Sequence, residues 1–276
     1  MRLIVMGDLH YSLMNGGSEE VLEARDKFYR AMIHHFVQLE ADYHISLGDL
    51  THEGVPEEFD HMLQWIGGNV SHFLPVIGNH DAYLLPKSDI MAIVGHQRYQ
   101  AIERDDAHIL ILDTTKEMNR DDWGGELDED QLRWLEDELA KSGNKPVLVF
   151  GHHPVYGTTA RSTMEMMSID PRTDIRAVLN KKQGQGFYFC GHNHVNSIVQ
   201  EDNWFYIQTA ACLDIPAFRR VELHEGAVRI DLVAIDDAEL ANCMEIVYAN
   251  IPGWEPIVTA NGEEKDRFLE VKLLSY

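Results

Sequence analysis

The sequence is poor in cysteine, with three in 276 residues. Cys190, Cys212 and Cys243 have neither the spacing of a metal site nor the even number that a disulfide framework needs. Their scarcity excludes a small disulfide-stapled fold and a zinc site built on thiolates. We interpret the three thiols as reduced and structural, which predicts a cytoplasmic protein.

Long apolar runs are also absent, because no segment approaches the length that spans a bilayer. Residues 1–7 are too short for a secretory signal and run straight into a motif, so we interpret them as the first core strand. No linker rich in Pro, Gly or Ser divides the chain. With an ordinary apolar fraction of 45%, we expect residues 1–276 to form a single domain without a membrane partner.

Positive charge is scarce as well, since 23 Lys and Arg face 46 Asp and Glu and leave a net charge of −23. Such a charge repels nucleic-acid backbones and anionic membranes, so neither is an expected partner. An anionic ligand would have to be attracted by bound metal ions or by a few local cations. The candidates are Lys116, Arg161 and Arg172, and the sequence does not choose among them.

What the chain does contain is five apolar strands, each followed by a short turn rich in Asp or His. Such turns lie at the carboxyl ends of strands, where open α/β sheets keep their ligands. One cluster of this kind is weak evidence, whereas an ordered set of five predicts a metal site. The turns are Asp8-Leu9-His10, Gly48-Asp49, Gly78-Asn79-His80-Asp81, Gly151-His152-His153-Pro154 and Gly191-His192-Asn193-His194.

The candidate ligands in these turns are oxygen and nitrogen donors, and none is a thiolate. They are too many for one tetrahedral zinc ion and suit two divalent ions that share a carboxylate. Imidazole and carboxylate ligands accept manganese, iron, zinc or cobalt, so the identity of the metals stays open. The candidate set is Asp8, His10, Asp49, Asn79, His152, His192 and His194.

The order of these motifs, D-x-H, G-D, G-N-H-[DE], G-H and G-H-x-H, resembles that of the calcineurin-like metallophosphoesterase superfamily over residues 8–194. The resemblance implies hydrolysis of a small phosphate ester by a hydroxide that bridges two metal ions. The implied assignment is Asp8, His10 and His194 for the first metal, Asn79, His152 and His192 for the second, and Asp49 as the bridge between them.

Two further residues of the turn Gly78-Asn79-His80-Asp81 are predicted to take part in catalysis. The resemblance implies that His80 faces the substrate and assists the leaving oxygen. Asp81 is predicted either to orient His80 or to stabilise the turn, and the sequence leaves both open. His153 follows a proposed ligand and is expected to point away, so we leave it out of the metal set.

Departures from named subfamilies bear on the substrate. Glu53 and Ile77 stand where protein serine/threonine phosphatases carry phosphate-binding arginines. His52 stands where those enzymes have an aspartate and where purple acid phosphatases have a tyrosine ligand. The motifs are closest in style to bacterial cyclic-nucleotide and glycerophosphodiester phosphodiesterases, although Ala82-Tyr83 departs from them. We therefore predict a phosphodiesterase. The alternatives are a phosphomonoesterase on nucleotides or sugar phosphates and a non-catalytic metal-binding scaffold.

The fold class that the resemblance implies is α/β, with two stacked mixed β-sheets flanked by helices in a four-layer α/β/β/α sandwich. A βαβαβ unit with helices over about 18–40 and 56–66 opens the chain. Further helices are expected at 88–94, 128–141 and 171–182. Two hairpins, 196–209 and 219–233, are predicted to form a second sheet stacked on the first.

The end of the chain is harder to place. Residues 236–276 are expected to form a short helix and strands that cover the site or make an oligomer contact, for example in a homodimer. The pocket is predicted to be lined by residues 11–17, 82–87, 114–127 and 155–170.

Overall fold

The structure is a computed structural model that describes residues 1–274. Strands that follow the apolar runs of the sequence build most of it. They are β1 (Arg2–Met6), β2 (Tyr43–Ser46), β3 (Phe73–Pro75), β4 (Gln100–Glu103), β5 (His108–Ile111), β6 (Val147–Phe150), β7 (Gly186–Cys190), β8 (Ser197–Glu201), β9 (Trp204–Gln208), β10 (Ala217–His224), β11 (Ala227–Ala234) and β12 (Phe268–Lys272).

The helices begin where the sequence places caps. The side chain of Ser18 accepts a hydrogen bond from the amide of Val21 at the start of α1, and Pro56 opens α2. The helices are α1 (Glu19–Gln38), α2 (Pro56–Ile66), α3 (Lys87–Val94), α4 (Glu129–Ser142), α5 (Ile175–Leu179) and α6 (Ala238–Asn250), with 3₁₀ turns at Gly67–His72 and Glu264–Asp266.

The predicted helix over 171–182 is shorter than expected. Turns occupy its first residues, where the amide of Thr173 donates to the carbonyl of Asp170 and the amide of Ile175 to that of Thr173. The helix α5 therefore begins only at Ile175. The tail predicted over 236–276 contains α6, the second 3₁₀ turn and β12, and its residues 275 and 276 lie outside the described part of the chain.

Two six-stranded mixed sheets form the centre, with the orders β12-β11-β10-β1-β2-β3 and β4-β5-β6-β7-β9-β8. β1, β2 and β3 are parallel, as the βαβαβ unit predicted. The prediction that both late hairpins form one sheet is wrong. The hairpin β8–β9 joins the second sheet through the parallel pair of β9 with β7, whereas β10–β11 joins the first sheet through the antiparallel pair of β10 with β1.

The layers follow the burial pattern of the strands. Side chains such as Val5, Ile45, Phe150 and Phe187 fill the space between the sheets. The opposite face of the first sheet packs on α1, α2 and α6, and that of the second sheet on α4 and α5. Strands such as β6, buried on both faces, carry continuous runs of apolar residues for this reason. The predicted four-layer α/β/β/α arrangement is thereby confirmed.

This topology gathers the motif turns. The carboxyl ends of β1, β2 and β3 in one sheet meet those of β6 and β7 in the other, because each parallel group runs in one direction. Within the described residues, no helix combines the length and the apolar character that crossing a membrane would require.

Candidate metal centre

The first group of side chains that the turns bring together has ligand atoms within 4.8 Å of one another. His194 Nε2 lies 3.1 Å from His10 Nε2 and 3.3 Å from Asp8 Oδ2. Asp49 Oδ2 lies 3.6 Å from His10 Nε2. Two carboxylates and two imidazoles thus converge on one point, as a divalent ion requires.

The second group lies on the other side of the same carboxylate oxygen. His152 Nε2 is 3.4 Å from Asp49 Oδ2 and 2.9 Å from Asn79 Oδ1. His192 Nδ1 lies 3.2 Å from His152 Nε2. Asp49 Oδ2 therefore faces both groups, which is the position that a bridging ligand would occupy.

Backbone carbonyls fix which nitrogen of these histidines carries the proton. His152 Nδ1 donates to the carbonyl of Leu47 at 2.8 Å, and His192 Nε2 donates to that of Met166 at 2.9 Å. A carbonyl only accepts, so in the neutral form of each ring the inner nitrogen carries the lone pair that a metal ion would need. The two inner nitrogens lie 3.2 Å apart, close enough to share a hydrogen bond when His152 is protonated and to bind one ion when both rings are neutral.

Burial sets the protonation states of the centre. Burial raises the pKa of Asp8 well above its usual range. Burial also acts to raise the pKa of Asp49, but the charges of His152 and His80 outweigh it and bring that pKa well below its usual range. Burial acts to lower the pKa of His152, and the carboxylate of Asp49 reverses this and raises it to about 9. Burial lowers the pKa of His192 to about 3, which keeps its imidazole neutral.

Three observations indicate that these residues fit metal ions. Asp8 Oδ1 is buried and has no hydrogen-bond partner within the described chain. Glycines lie directly against the carboxylates, since a Cβ at Gly78 would come within 2.1 Å of Asp49 Oδ1 and one at Gly191 within 2.1 Å of Asp8 Oδ1. The backbone is left-handed at four of the predicted ligands, with φ of 52° at His10, 48° at Asp49, 65° at His192 and 56° at His194. Strained backbone of this kind clusters at functional sites.

His80 borders the centre where the pocket opens. Its amide donates to Asp49 Oδ1 at 2.8 Å, and its Nδ1 donates to the carbonyl of His52 at 2.7 Å. The ring lines the pocket described below. The hydrogen bond to a carbonyl orients the imidazole and leaves Nε2 as the atom available to a substrate.

Asp81 does not hold the ring of His80, which corrects one of the two predicted roles. Its carboxylate accepts hydrogen bonds from the amides of Leu50, Thr51 and Gly78 and from the hydroxyl of Thr51. These contacts stabilise the turns that carry Asp49 and His80. The carbonyl of His52 does the orienting instead.

His153 lies beside His152 and His192 but has both ring nitrogens engaged. Nδ1 accepts from the hydroxyl of Thr114 at 2.9 Å, and Nε2 donates to the carbonyl of Trp123 at 2.8 Å. His152, His153 and His192 nevertheless have ring nitrogens within 4.8 Å of one another and could together hold a metal ion. Leaving His153 out of the metal set stays a prediction.

A pocket of about 510 Å³ opens over the centre. The tail, expected either to cover the site or to make an oligomer contact, forms part of its wall, but the individual residues were missed by sequence reasoning. The tail supplies residues 252–257, in which the indole of Trp254 stacks on His194 at 4.9 Å between ring centroids. Asp214, buried beside His194, was missed as well. Neither residue belongs to a motif, and Trp254 between Pro252 and Pro256 offered only the signal of a turn.

Of the three candidate cations, Arg161 is the one that lines this pocket. Lys116 pairs with Asp122, and Arg172 is exposed and pairs with Asp170. Among the predicted lining segments, 155–170 contributes Arg161 and Met167, whereas 11–17 and 114–127 line neighbouring pockets. Segment 82–87 does not line this pocket, but it places Tyr83 beside the second group, where the hydroxyl accepts from the amide nitrogen of Asn79 at 2.7 Å.

Comparison with known proteins identifies the family. A family model described as calcineurin-like phosphoesterase matches residues 1–196. The chain belongs to the calcineurin-like phosphoesterase family. Its members use divalent metals, and the His and Asp groups described above could bind them.

Relatives of this phosphoesterase chain include curated bacterial proteins. A glycerophosphodiester phosphodiesterase of Enterobacter lignolyticus is 27% identical over 159 residues, which are 55% of this chain and 56% of that protein. A probable cyclic nucleotide phosphodiesterase of Rhodopseudomonas palustris is 30% identical over 158 residues, 54% of this chain and 56% of that one. The chain thus spans about half the length of these relatives.

Solved structures agree with the family at the level of the fold. The purple acid phosphatase PPD1 of yellow lupin is similar with a TM-score of 0.55 and 12% identity, over 85% of this chain and 51% of that one. GAP50, the anchor in the inner membrane complex of Plasmodium, is similar with a TM-score of 0.54 and 10% identity, over 93% and 96%. At such identities the likeness concerns the arrangement of the sheets and helices alone.

Proposed function

We propose that this chain hydrolyses small phosphodiesters with two divalent metal ions bound at its paired His and Asp groups. In this proposal Asp8, His10 and His194 hold the first ion, Asn79, His152 and His192 hold the second, and Asp49 is shared. The observation that carries the proposal is that Asp49 Oδ2 faces both groups, 3.6 Å from His10 Nε2 and 3.4 Å from His152 Nε2. When bound, two such ions supply Lewis-acid activation of the phosphoryl group and of water.

His80 would donate a proton to the leaving group. Because the carbonyl of His52 holds the proton on Nδ1, a second proton on the imidazolium resides on Nε2. The leaving oxygen can take that proton as its bond to phosphorus breaks. The amide of His80 also donates to Asp49 Oδ1, so one turn fixes the bridging carboxylate and the acid together.

The charge of the pocket favours a diester over a monoester. A phosphodiester carries one negative charge, whereas a phosphomonoester carries about −1.5 to −2 at pH 7. Among the described residues that line the pocket, Arg161 is the one fixed cation, and Glu255 offsets it. The two proposed ions would attract either ester, and beyond them the lining adds no net positive charge that would favour a dianion. Arg161 is placed to bind a phosphoryl oxygen. The names of the relatives, which state phosphodiester substrates, support the same choice.

The test is an assay of the protein reconstituted with manganese and, separately, with zinc. Bis-p-nitrophenyl phosphate and p-nitrophenyl phosphate are compared as diester and monoester. We expect a higher kcat/KM for the diester. Preference for the monoester would point to a phosphomonoesterase, and absence of turnover with two bound ions would point to a scaffold.

Asp49→Asn tests the bridging role within the same assay. Loss of the shared charge is expected to lower kcat by at least about 10²–10³-fold, the usual effect of removing one contact to transition-state charge. Asp105→Asn, in the exposed turn between β4 and β5, is the matched control. Full activity of Asp49→Asn with an unchanged far-UV spectrum would contradict the assignment. We also propose a cytoplasmic location, which the three buried free thiols support.

A further inference from the structure

Asp214 lies next to the first metal group, outside every motif of the sequence. Its side chain is 1% exposed, and its Oδ2 has no hydrogen-bond partner within the described chain. That oxygen lies 3.6 Å from His194 Nδ1. A buried carboxylate oxygen without a donor is costly, and the ring nitrogen of His194 is close enough to become that donor after a small movement.

The two nitrogens of His194 face in different directions. Nε2 lies 3.1 Å from His10 Nε2 and 3.3 Å from Asp8 Oδ2, within the first metal group. Nδ1 faces Asp214. In His152 and His192 the outer nitrogen donates to a backbone carbonyl. In His194 the acceptor in the corresponding place is a carboxylate, which strengthens an imidazole ligand more than a carbonyl does because it is charged.

The other oxygen of the same carboxylate holds the tail. Asp214 Oδ1 accepts the amide of Ile257 at 2.9 Å, across 43 positions of sequence. Three residues earlier, the indole of Trp254 stacks on His194 at 24° between ring planes and meets His10 edge-on at 4.9 Å between centroids. Residues 252–257, the strap, therefore lie against two first-site residues, and Asp214 touches both the strap and one of those residues.

We propose that Asp214 is a positioning residue for the first metal site. This proposal rests on the proposed function for the identity of the metal ligands. Asp214 accepts the Nδ1 proton of His194 when Nε2 binds the ion, and it anchors the strap that covers the same ligand. Hydrogen bonds in unoccupied active sites are often long and tighten when the site is filled. In this proposal the gap of 3.6 Å closes in the same way when the ion binds.

Substitutions of Asp214 can separate its contact with His194 from its contact with the amide of Ile257. In Asp214→Asn the amide oxygen can still accept the amide of Ile257, whereas its NH₂ group cannot accept a proton from His194. Asp214→Ala removes both contacts. Asp214→Glu restores a carboxylate at a different reach and serves as the rescue variant. Asp105→Asn, exposed and in another turn, is the matched control.

Metal affinity is measured by equilibrium dialysis against Zn²⁺, without substrate. The two affinities are assigned with His10→Ala, which removes a first-site ligand, and His192→Ala, which removes a second-site ligand. We expect Asp214→Asn to weaken the first site by about 10–100-fold and to leave the second unchanged. Asp214→Glu should recover part of the loss. Hydrogen exchange over residues 252–260 should rise in Asp214→Ala and stay at the wild-type level in Asp214→Asn.

Wild-type affinity at both sites in Asp214→Asn would overturn the proposal, and so would equal losses at the two sites, because that is the pattern of a general structural defect. If the wild-type protein binds two ions but cleaves no ester, the proposed function is wrong, and the metal affinities can still test the role of Asp214. A wild-type protein that binds fewer than two ions overturns both.

Discussion

Gly78 lies so close to the bridging carboxylate that the smallest side chain should disturb it. A Cβ added at Gly78 would lie 2.1 Å from both the amide nitrogen and Oδ1 of Asp49. Ordinary contacts between such atoms are about 3.5 Å, so Gly78→Ala must displace one turn from the other by roughly 1.4 Å. The same Oδ1 accepts the amide of His80 at 2.8 Å, so the predicted acid moves with the carboxylate.

A misplacement of this size typically costs about 10²-fold in rate, and overpacking costs about 1–3 kcal/mol of stability. We expect Gly78→Ala to lose about 10²-fold in kcat on bis-p-nitrophenyl phosphate and to bind its metals more weakly. Gly68→Ala is the control, because a Cβ there meets nothing within 4 Å. If Gly78→Ala retained its metals and its kcat stayed within about threefold of wild type, the exact position of the Asp49 carboxylate would not control activity, and this prediction would be wrong.

Three further predictions address the acid, the pocket and the fold. His80→Gln should lower kcat by about 10²–10⁴-fold for alkyl diesters, whose leaving oxygen needs a proton. The loss should be far smaller for p-nitrophenyl esters, whose leaving group needs none. Equal losses across a series of leaving groups would exclude His80 as the general acid. Trp254→Ala opens the pocket wall and should raise kcat/KM for bulky diesters relative to small ones. The ratio should rise by up to about tenfold, because one aromatic contact is worth about 0.5–1.5 kcal/mol. An unchanged ratio would show that Trp254 takes no part in substrate selection. Glu138→Gln should lower the free energy of unfolding by about 1–2 kcal/mol at pH 7. Burial alone would raise the pKa of Glu138, but the contacts with Lys141 and His108 outweigh it, so the pKa lies below its usual 4.5. The stabilisation by the carboxylate is therefore present above pH 4.5 and is lost as the pH falls through the pKa of the folded state. Urea titrations across pH 3–7 measure this, and a difference that grew in acid would contradict it.

Local sequence was sufficient for the parts of the molecule that are set by local rules. Apolar runs ending in turns predicted β1, β2, β6 and β7, and caps such as Ser18 predicted the helix starts. The ligand candidates were found because each lies within four residues of a strand end, and the topology then brings most of their atoms together. Their role as metal ligands stays a prediction.

Features that depend on distant parts of the chain could not be read in this way. Period-two alternation predicts a hairpin but not the sheet it joins, so β8–β9 and β10–β11 were placed in one sheet. The contact of Asp214 with Ile257 spans 43 positions, and nothing near either residue signals it. The role of Asp81 was left open because a carboxylate in a turn can bind amides or a ring, and only the arrangement of its neighbours decides which.

The left-handed backbone at His10, Asp49, His192 and His194 has a consequence for how this protein can change over generations. A non-glycine residue in that conformation costs about 1–2 kcal/mol, and glycine adopts it freely. Exchanging any of the four for glycine would relieve that strain, but it would also remove a ligand and the contacts of its side chain, such as the hydrogen bond that Asp49 Oδ1 accepts from the amide of His80. The strain is therefore a cost that the fold carries together with these side chains, and keeping all four over generations depends on selection for what the centre does.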